Sequence, residues 1–221
     1  MENKSLKQII ANRHEKLDKI RQLGINPYPY EFNITHSTLE ITKDCIDQNV
    51  SVAGRVMSLR RMGKAAFANI QDAHGRVQLY IARDDVGEDN YSLFKLVDIG
   101  DFIGIDGVVF ITKTDELTVK AENVTMLSKN LRPIPDVKEK DGEKYNSVSD
   151  KELRYRKRYL DMIINPETKD NYITRFKMIN SIREFLNKNG YLEVETPVLQ
   201  PVYGGANAKP FKTFHNALDQ E

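Results

Sequence analysis

The sequence predicts a mixed α and β chain in which a five-stranded barrel is flanked by helices. Three observations lead there. The first residues repeat apolar side chains at helical spacing, Val50 to Lys129 alternates apolar and polar residues between glycine-bearing turns, and a long one-sided apolar stripe near the end stops at Gly190. The 221 residues can hold one large domain or two small ones. The 33 basic and 32 acidic residues nearly cancel, so no global field draws the chain to a polyanion and any basic contact surface has to be local. The single cysteine, Cys45, excludes an internal disulfide framework. The four histidines, His14, His36, His74 and His215, are too scattered to suggest a metal cluster. With no leader-like or membrane-length apolar run, a soluble cytoplasmic protein is the expectation.

Residues 1–49 read as a basic helix and a connector. Leu6, Ile9, Ile10, Leu17 and Ile20 recur among Lys7, Arg13, Lys16, Lys19 and Arg21, and Gly24 ends the pattern. A solvated helix lying on the next domain accounts for this pattern, and so does a helix that docks on tRNA or another partner. Pro27 and Pro29 then force extended backbone.

Residues 50–129 contain five predicted strands, at 51–61, 65–71, 76–83, 102–113 and 116–127, with a short helix at 88–97 between the third and fourth. That order is the layout of an oligonucleotide-binding (OB) barrel, whose outer face on strands two and three takes single-stranded nucleic acid. Because side chains alternate between faces, Ala66, Ala68, Ile70, Val77, Leu79 and Ile81 turn inward. Phe67, Asn69, Gln71, Arg76, Gln78 and Tyr80 then turn outward. The turn at 72–75 sets Phe67 opposite Tyr80 and Asn69 opposite Gln78. On the first strand Arg55 is left outward, and on the fifth Lys120 and Glu122. Rings that stack on bases and polar groups that read base edges suit a nucleic-acid surface. A cross-strand pair of Phe67 and Tyr80 that only stabilises the sheet fits the same pattern.

Residues 130–149 read as a polar linker, stiffened by Pro133 and Pro135 and mobile through the charged run Lys138 to Lys144. Ser149 to Glu152 has the form of a capping box, so a helix is expected from there through Met162. Its clustered Arg154, Arg156, Lys157 and Arg158 fit either a phosphate-facing patch or a solvated face. Asn165 and Pro166 open a second, long helix whose stripe runs through Ile173, Phe176, Ile179, Ile182, Phe185 and Leu186. A short strand from Tyr191 to Pro197 and a Gly204-Gly205 turn follow. The expectation is that 150–221 begin a larger domain that is incomplete at Glu221.

Several stretches are similar to one family: Leu23-Gly24-Ile25-Asn26-Pro27-Tyr28-Pro29, Met62-Gly63-Lys64-Ala65-Ala66-Phe67, Arg76 through Asp85, and Arg154 through Asp161. In these the chain resembles the N-terminal portion of bacterial-type class II lysyl-tRNA synthetases. The resemblance implies a barrel that binds the tRNA-Lys anticodon through Arg55, Phe67, Gln78 and Glu122, with Gln78 reading a central uracil. It implies that Gly190 to Leu199 is motif 1 of a homodimer interface, with Gly190 and Pro197 at matching places. Gly204 and Gly205 correspond to the rim of a lysine pocket, where a plain tight turn is the alternative. ATP and Mg²⁺ would serve the full-length enzyme, whose motif 2 and 3 residues have no match here. No catalytic or metal-binding residue is therefore assigned in this chain, which is expected to be inactive alone. Two other readings stay open: a stand-alone, non-catalytic tRNA-binding or regulatory protein derived from a synthetase, and an aspartyl- or asparaginyl-type enzyme, against which Gly204 to Phe211 argues.

Overall fold

The computed structural model describes residues 5–135, 137–140, 143–146, 150–197 and 211–219. They fall into two compact units, residues 1–156 and 157–221. The predicted capping residue Ser149, the Val198 to Pro210 stretch and the predicted pocket-rim glycines Gly204 and Gly205 lie outside the described residues.

The first unit opens with helix α1 (Leu6–Gln22). The Ser5 hydroxyl accepts from the Gln8 N–H while the Gln8 side chain accepts from the Ser5 N–H, a reciprocal cap that satisfies two of the four free donors of a helix start. Gly24 at φ 75° ends the pattern. The basic residues of α1 are not all solvated. Arg13 is buried and donates to the carbonyls of Ile99 and Asn130, both at 2.9 Å, while Lys16 pairs with Asp98. Leu17 and Ile20 are buried from the same helix. The helix is thus anchored by charge as well as by apolar area.

Five strands, β1 (Asn49–Met62), β2 (Ala65–Gln71), β3 (Arg76–Ala82), β4 (Phe102–Ile111) and β5 (Leu117–Ser128), close a barrel in the order β1-β2-β3-β5-β4. All neighbours are antiparallel except β3 and β5. Helix α2 (Arg83–Lys95), kinked at Gly87, lies between β3 and β4 in sequence and packs chiefly on β5. It begins five residues earlier than the expected helix. The inward set is as the alternation requires: Val52, Val56, Ala66, Ala68, Ile70, Leu79, Ile81, Val119 and Ala121 are fully buried. Gly107 is obligatory, since a β-carbon there would stand 2.0 Å from the Lys120 carbonyl oxygen on β5.

Two departures from regular alternation matter for function. A bulge lies between Val56 and Ser58, so Arg55 pairs with Gln71 but Arg60 pairs with Phe67. A second bulge, opposite Asp106 and Gly107, leaves Glu122 unpaired in the ladder and exposes both Glu122 and Asn123.

At the end of the barrel a buried ion cluster closes the unit. Lys129, with a fully buried side chain, donates to Asp98 at 2.6 Å, Asp101 at 2.7 Å and the Leu96 carbonyl at 2.9 Å. Burial acts to raise the Asp98 pKa, but hydrogen bonds from Lys129 and Lys16 outweigh it and hold the carboxyl below its ordinary range. The segment expected as a mobile linker contains a two-stranded hairpin, β6 (Val137–Lys140) and β7 (Glu143–Asn146), paired from Val137↔Asn146 to Lys140↔Glu143. Helix α3 (Lys151–Arg156) ends the unit, with the Asp150 carboxylate accepting from the Glu152 N–H.

In the second unit helix α4 (Arg158–Ile164) follows, so the single helix expected through Met162 is broken. Lys157, at φ −121° and ψ 54°, is the non-helical residue at the break. Helix α5 (Pro166–Lys188) starts with proline at its first turn, as predicted. Asn165 occupies the N-cap position but does not cap through its side chain. It donates instead to the buried Asp161 at 2.6 Å, which also accepts from Arg158 and Thr168. Gly190, at φ 83°, follows the helix end. Residues 191–197, expected as a strand, form no strand among the described residues. An Arg183–Glu193 pair at 3.0 Å ties this segment back to α5. Pro197 is exposed.

Candidate nucleic-acid interface

The outer face of β1, β2 and β3 carries a cleft of ≈ 940 Å³, at the upper end of small-ligand sites. Its floor is built from sheet register. Phe67 opposes Tyr80 and Asn69 opposes Gln78, the pairs the alternation predicted. The rings of Phe67 and Tyr80 lie 5.1 Å apart and tilted by 53°, and Phe110 of β4 meets Tyr80 edge-on at 6.2 Å. Three rings therefore line one cleft. Their faces are not stacked flat on each other, so ring surface remains for a base.

The polar walls come from two places. Ser58 and Arg60 rise from β1, and Thr112, Lys113, Thr114 and Glu116 from the β4–β5 loop, one of the two loops with which OB barrels hold oligonucleotides. That loop is internally fixed. Thr112 N–H donates to the Glu116 carbonyl, Glu116 N–H donates to the Thr112 hydroxyl, and Asp115 takes a left-handed conformation at φ 60°. The mouth thus combines cations with one carboxylate, a mix that favours selected bases over phosphate attraction alone.

Of the four residues expected to bind an anticodon, Phe67 and Gln78 line the cleft, whereas Arg55 and Glu122 do not. The Arg55 guanidinium lies 4.3 Å over the Phe102 ring and donates to the Gly100 carbonyl at 3.1 Å, with burial pulling its pKa below the ordinary value. Arg55 lies in the row of Gln71, two rows along from Phe67, and the bulge after Val56 brings Arg60 into the row of Phe67. Glu122 sits at the second bulge, beyond Lys120. The Lys120 pKa is raised, first by its hydrogen bond to Asp85 and to a lesser degree by Glu122. Arg60, Lys113 and Glu116 are the charged residues that line the cleft. Glu116 shares the outward parity of Lys120 and Glu122 in the expected fifth strand, although β5 starts only at Leu117; Phe110 has such a signal too, as the outward neighbour of buried Val109.

Among the described residues no group of three or more His, Cys, Asp or Glu is placed to hold a metal ion. No helix among the described residues is long and apolar enough to cross a membrane.

The chain is similar to a nucleic-acid-binding OB barrel followed in sequence by part of a class II tRNA synthetase domain. Residues 50–127 match the family of OB-fold nucleic acid binding domains, and residues 150–221 match the class II tRNA synthetases for D, K and N. Within that class the similarity is to lysine–tRNA ligases. Those of Bacillus cytotoxicus and Bacillus cereus are each 46% identical over 231 aligned residues, which cover 100% of this chain and 45% of the relative. That of Carboxydothermus hydrogenoformans is 45% identical over 224 residues, covering 100% of this chain and 44% of the relative. The chain spans a little under half the length of these relatives, and it is similar to the N-terminal portion of bacterial-type class II lysyl-tRNA synthetases.

Proposed function

We propose that this chain supplies the anticodon-reading part of a lysine–tRNA ligase, the enzyme that uses ATP and Mg²⁺ to join lysine to tRNA-Lys in the cytoplasm. The single observation that carries the reading is the cleft in which Phe67, Tyr80 and Phe110 stand beside Gln78, Arg60 and Glu116. Phe67 is the stacking platform for an anticodon base, and Gln78 reads the edge of the central uracil. Glu116 and Arg60, rather than Glu122 and Arg55, are the charged groups at the mouth. Activation of lysine is proposed for the full-length enzyme and not for this chain alone, and the homodimer belongs to the same proposal. The exposed stripe of α5, with Phe176 at 62% and Phe185 at 65% exposure, is the surface we assign to the subunit interface, flanked by Gly190 and Pro197.

The test is binding of hairpins bearing UUU or UCU anticodons to the 221-residue chain and two variants. Phe67→Ala is expected to weaken both hairpins by about 1–3 kcal/mol, the worth of one stacked base. Gln78→Ala is expected to spare UCU binding and lose the preference for UUU. Equal binding of every hairpin by the unaltered chain would end the anticodon reading.

A further inference from the structure

Behind the cleft, and not among the residues that line it, a hydroxyl shielded from solvent touches the side chain of Gln78. Thr118 of β5 is 0% exposed, and its register partner on β3 is Gln78. Its hydroxyl oxygen lies 2.8 Å from Gln78 Oε1 and 3.1 Å from the Glu116 carbonyl oxygen. Both neighbours are acceptors, and a hydroxyl has one proton to give. The Glu116 carbonyl already accepts from the Thr112 N–H at 3.0 Å, so it is satisfied without Thr118. The shorter contact therefore takes the proton to Gln78. A Gln side chain held by its oxygen presents its other end, the NH₂ group, to the cleft.

We infer that Thr118 is a positioning residue for base selection: its buried hydroxyl holds the Gln78 amide with the nitrogen facing the bound base, and this makes the cleft prefer a base with a carbonyl at that edge. The inference rests on the anticodon reading of the cleft. Uracil offers a carbonyl oxygen where cytosine offers an amino group. Cytosine would set two donors against each other and leave both unpaired in a partly desolvated site, the situation that lets a polar site reject a near-isostere. Without the hydroxyl the amide is free to turn over and offer its oxygen to cytosine instead.

The experiment compares hairpins with UUU and UCU anticodons against the full 221-residue chain, Thr118→Val and Thr118→Ser. Valine keeps the shape and removes the hydroxyl; serine keeps the hydroxyl and removes a methyl. Thr118→Val is expected to lower the UUU over UCU preference by roughly three- to tenfold, the effect of one lost hydrogen bond. Thr118→Ser is expected to restore the preference even where it lowers thermal stability. The readout is a ratio, so a loss of folded protein that reduces both affinities alike leaves it unmoved. If the unaltered chain prefers UUU and Thr118→Val keeps the full ratio, the positioning role is overturned while the anticodon reading stands. If Thr118→Ser loses as much preference as Thr118→Val, the effect is one of packing and the role is likewise overturned. If the unaltered chain shows no preference, the anticodon reading itself fails.

Discussion

Arg55 and Arg60 sit five residues apart on one strand, and a single extra residue between them lets Arg60 border the cleft. Regular alternation assigns opposite faces to residues an odd number apart; the bulge between Val56 and Ser58 returns Arg55 and Arg60 to the same outer surface, two rows apart along β2. Arg55 then spends its donors on Gly100 and its face on Phe102, while Arg60 borders the aromatic floor. Arg60→Ala is expected to weaken hairpin binding and leave the unfolding midpoint near its original value. Arg55→Ala is expected to lower the midpoint, having lost a half-buried hydrogen bond and a ring contact worth about 1 kcal/mol together, with hairpin preference unchanged. Titration and thermal unfolding of the two variants separate these outcomes. The contrast also marks what could be read from the residues alone. Phe67 and Gln78 were legible because a four-residue turn joins β2 and β3 in simple register, so counting by two reaches both. Arg60 was not, because a bulge interrupts the count; Glu116, at the start of the expected fifth strand, shares the outward parity of Lys120 and Glu122 but lies in the loop before β5.

At the scale of elements, the turn joining β2 to β3 is held by one carboxylate. Asp72 accepts from the Thr38 hydroxyl and from the N–H groups of Thr38, His74 and Gly75, which binds the connector to the hairpin that carries Phe67 and Gln78. Burial acts to raise its pKa, but the hydrogen bonds from Thr38, Gly75 and His74 together outweigh it and hold the group at about 2. The native state therefore binds this proton less readily than the unfolded chain, whose Asp titrates near ~3.9. The resulting stability is fully present above about pH 4 and is lost as pH falls through about 2. Asp72→Asn is expected to be less stable than the unaltered chain at pH 6, and the gap is expected to narrow between pH 4 and pH 2; urea unfolding across that range measures it. A gap that stays constant with pH would contradict the assignment. The barrel itself was legible because each strand has one buried face and each turn a glycine or an Asx residue. The break at Lys157 and the β6–β7 hairpin were not. Lys157 lies in a run of good helix formers, and the hairpin strands are short and highly charged, so neither apolar period nor turn chemistry sets them apart.

For the whole molecule, the two units differ in how far their own residues satisfy them. The first has a closed barrel, a continuous apolar interior and an ion cluster in which Lys129 is shared between Asp98 and Asp101. The second, among its described residues, carries Phe176, Ile182, Phe185, Tyr191 and Leu192 exposed along α5 and the segment after it. The proposed recognition is placed on the first unit, and its most direct measurement is a map of backbone amide shifts on titrating a UUU-anticodon hairpin into the isotope-labelled chain. Shifts concentrated at residues 58–60, 67–69, 78–80 and 110–118, with Arg55 and Glu122 little moved, are the expected result. Shifts centred on Arg55, Glu122 or the α1 surface, with the three-ring cleft silent, would contradict the account.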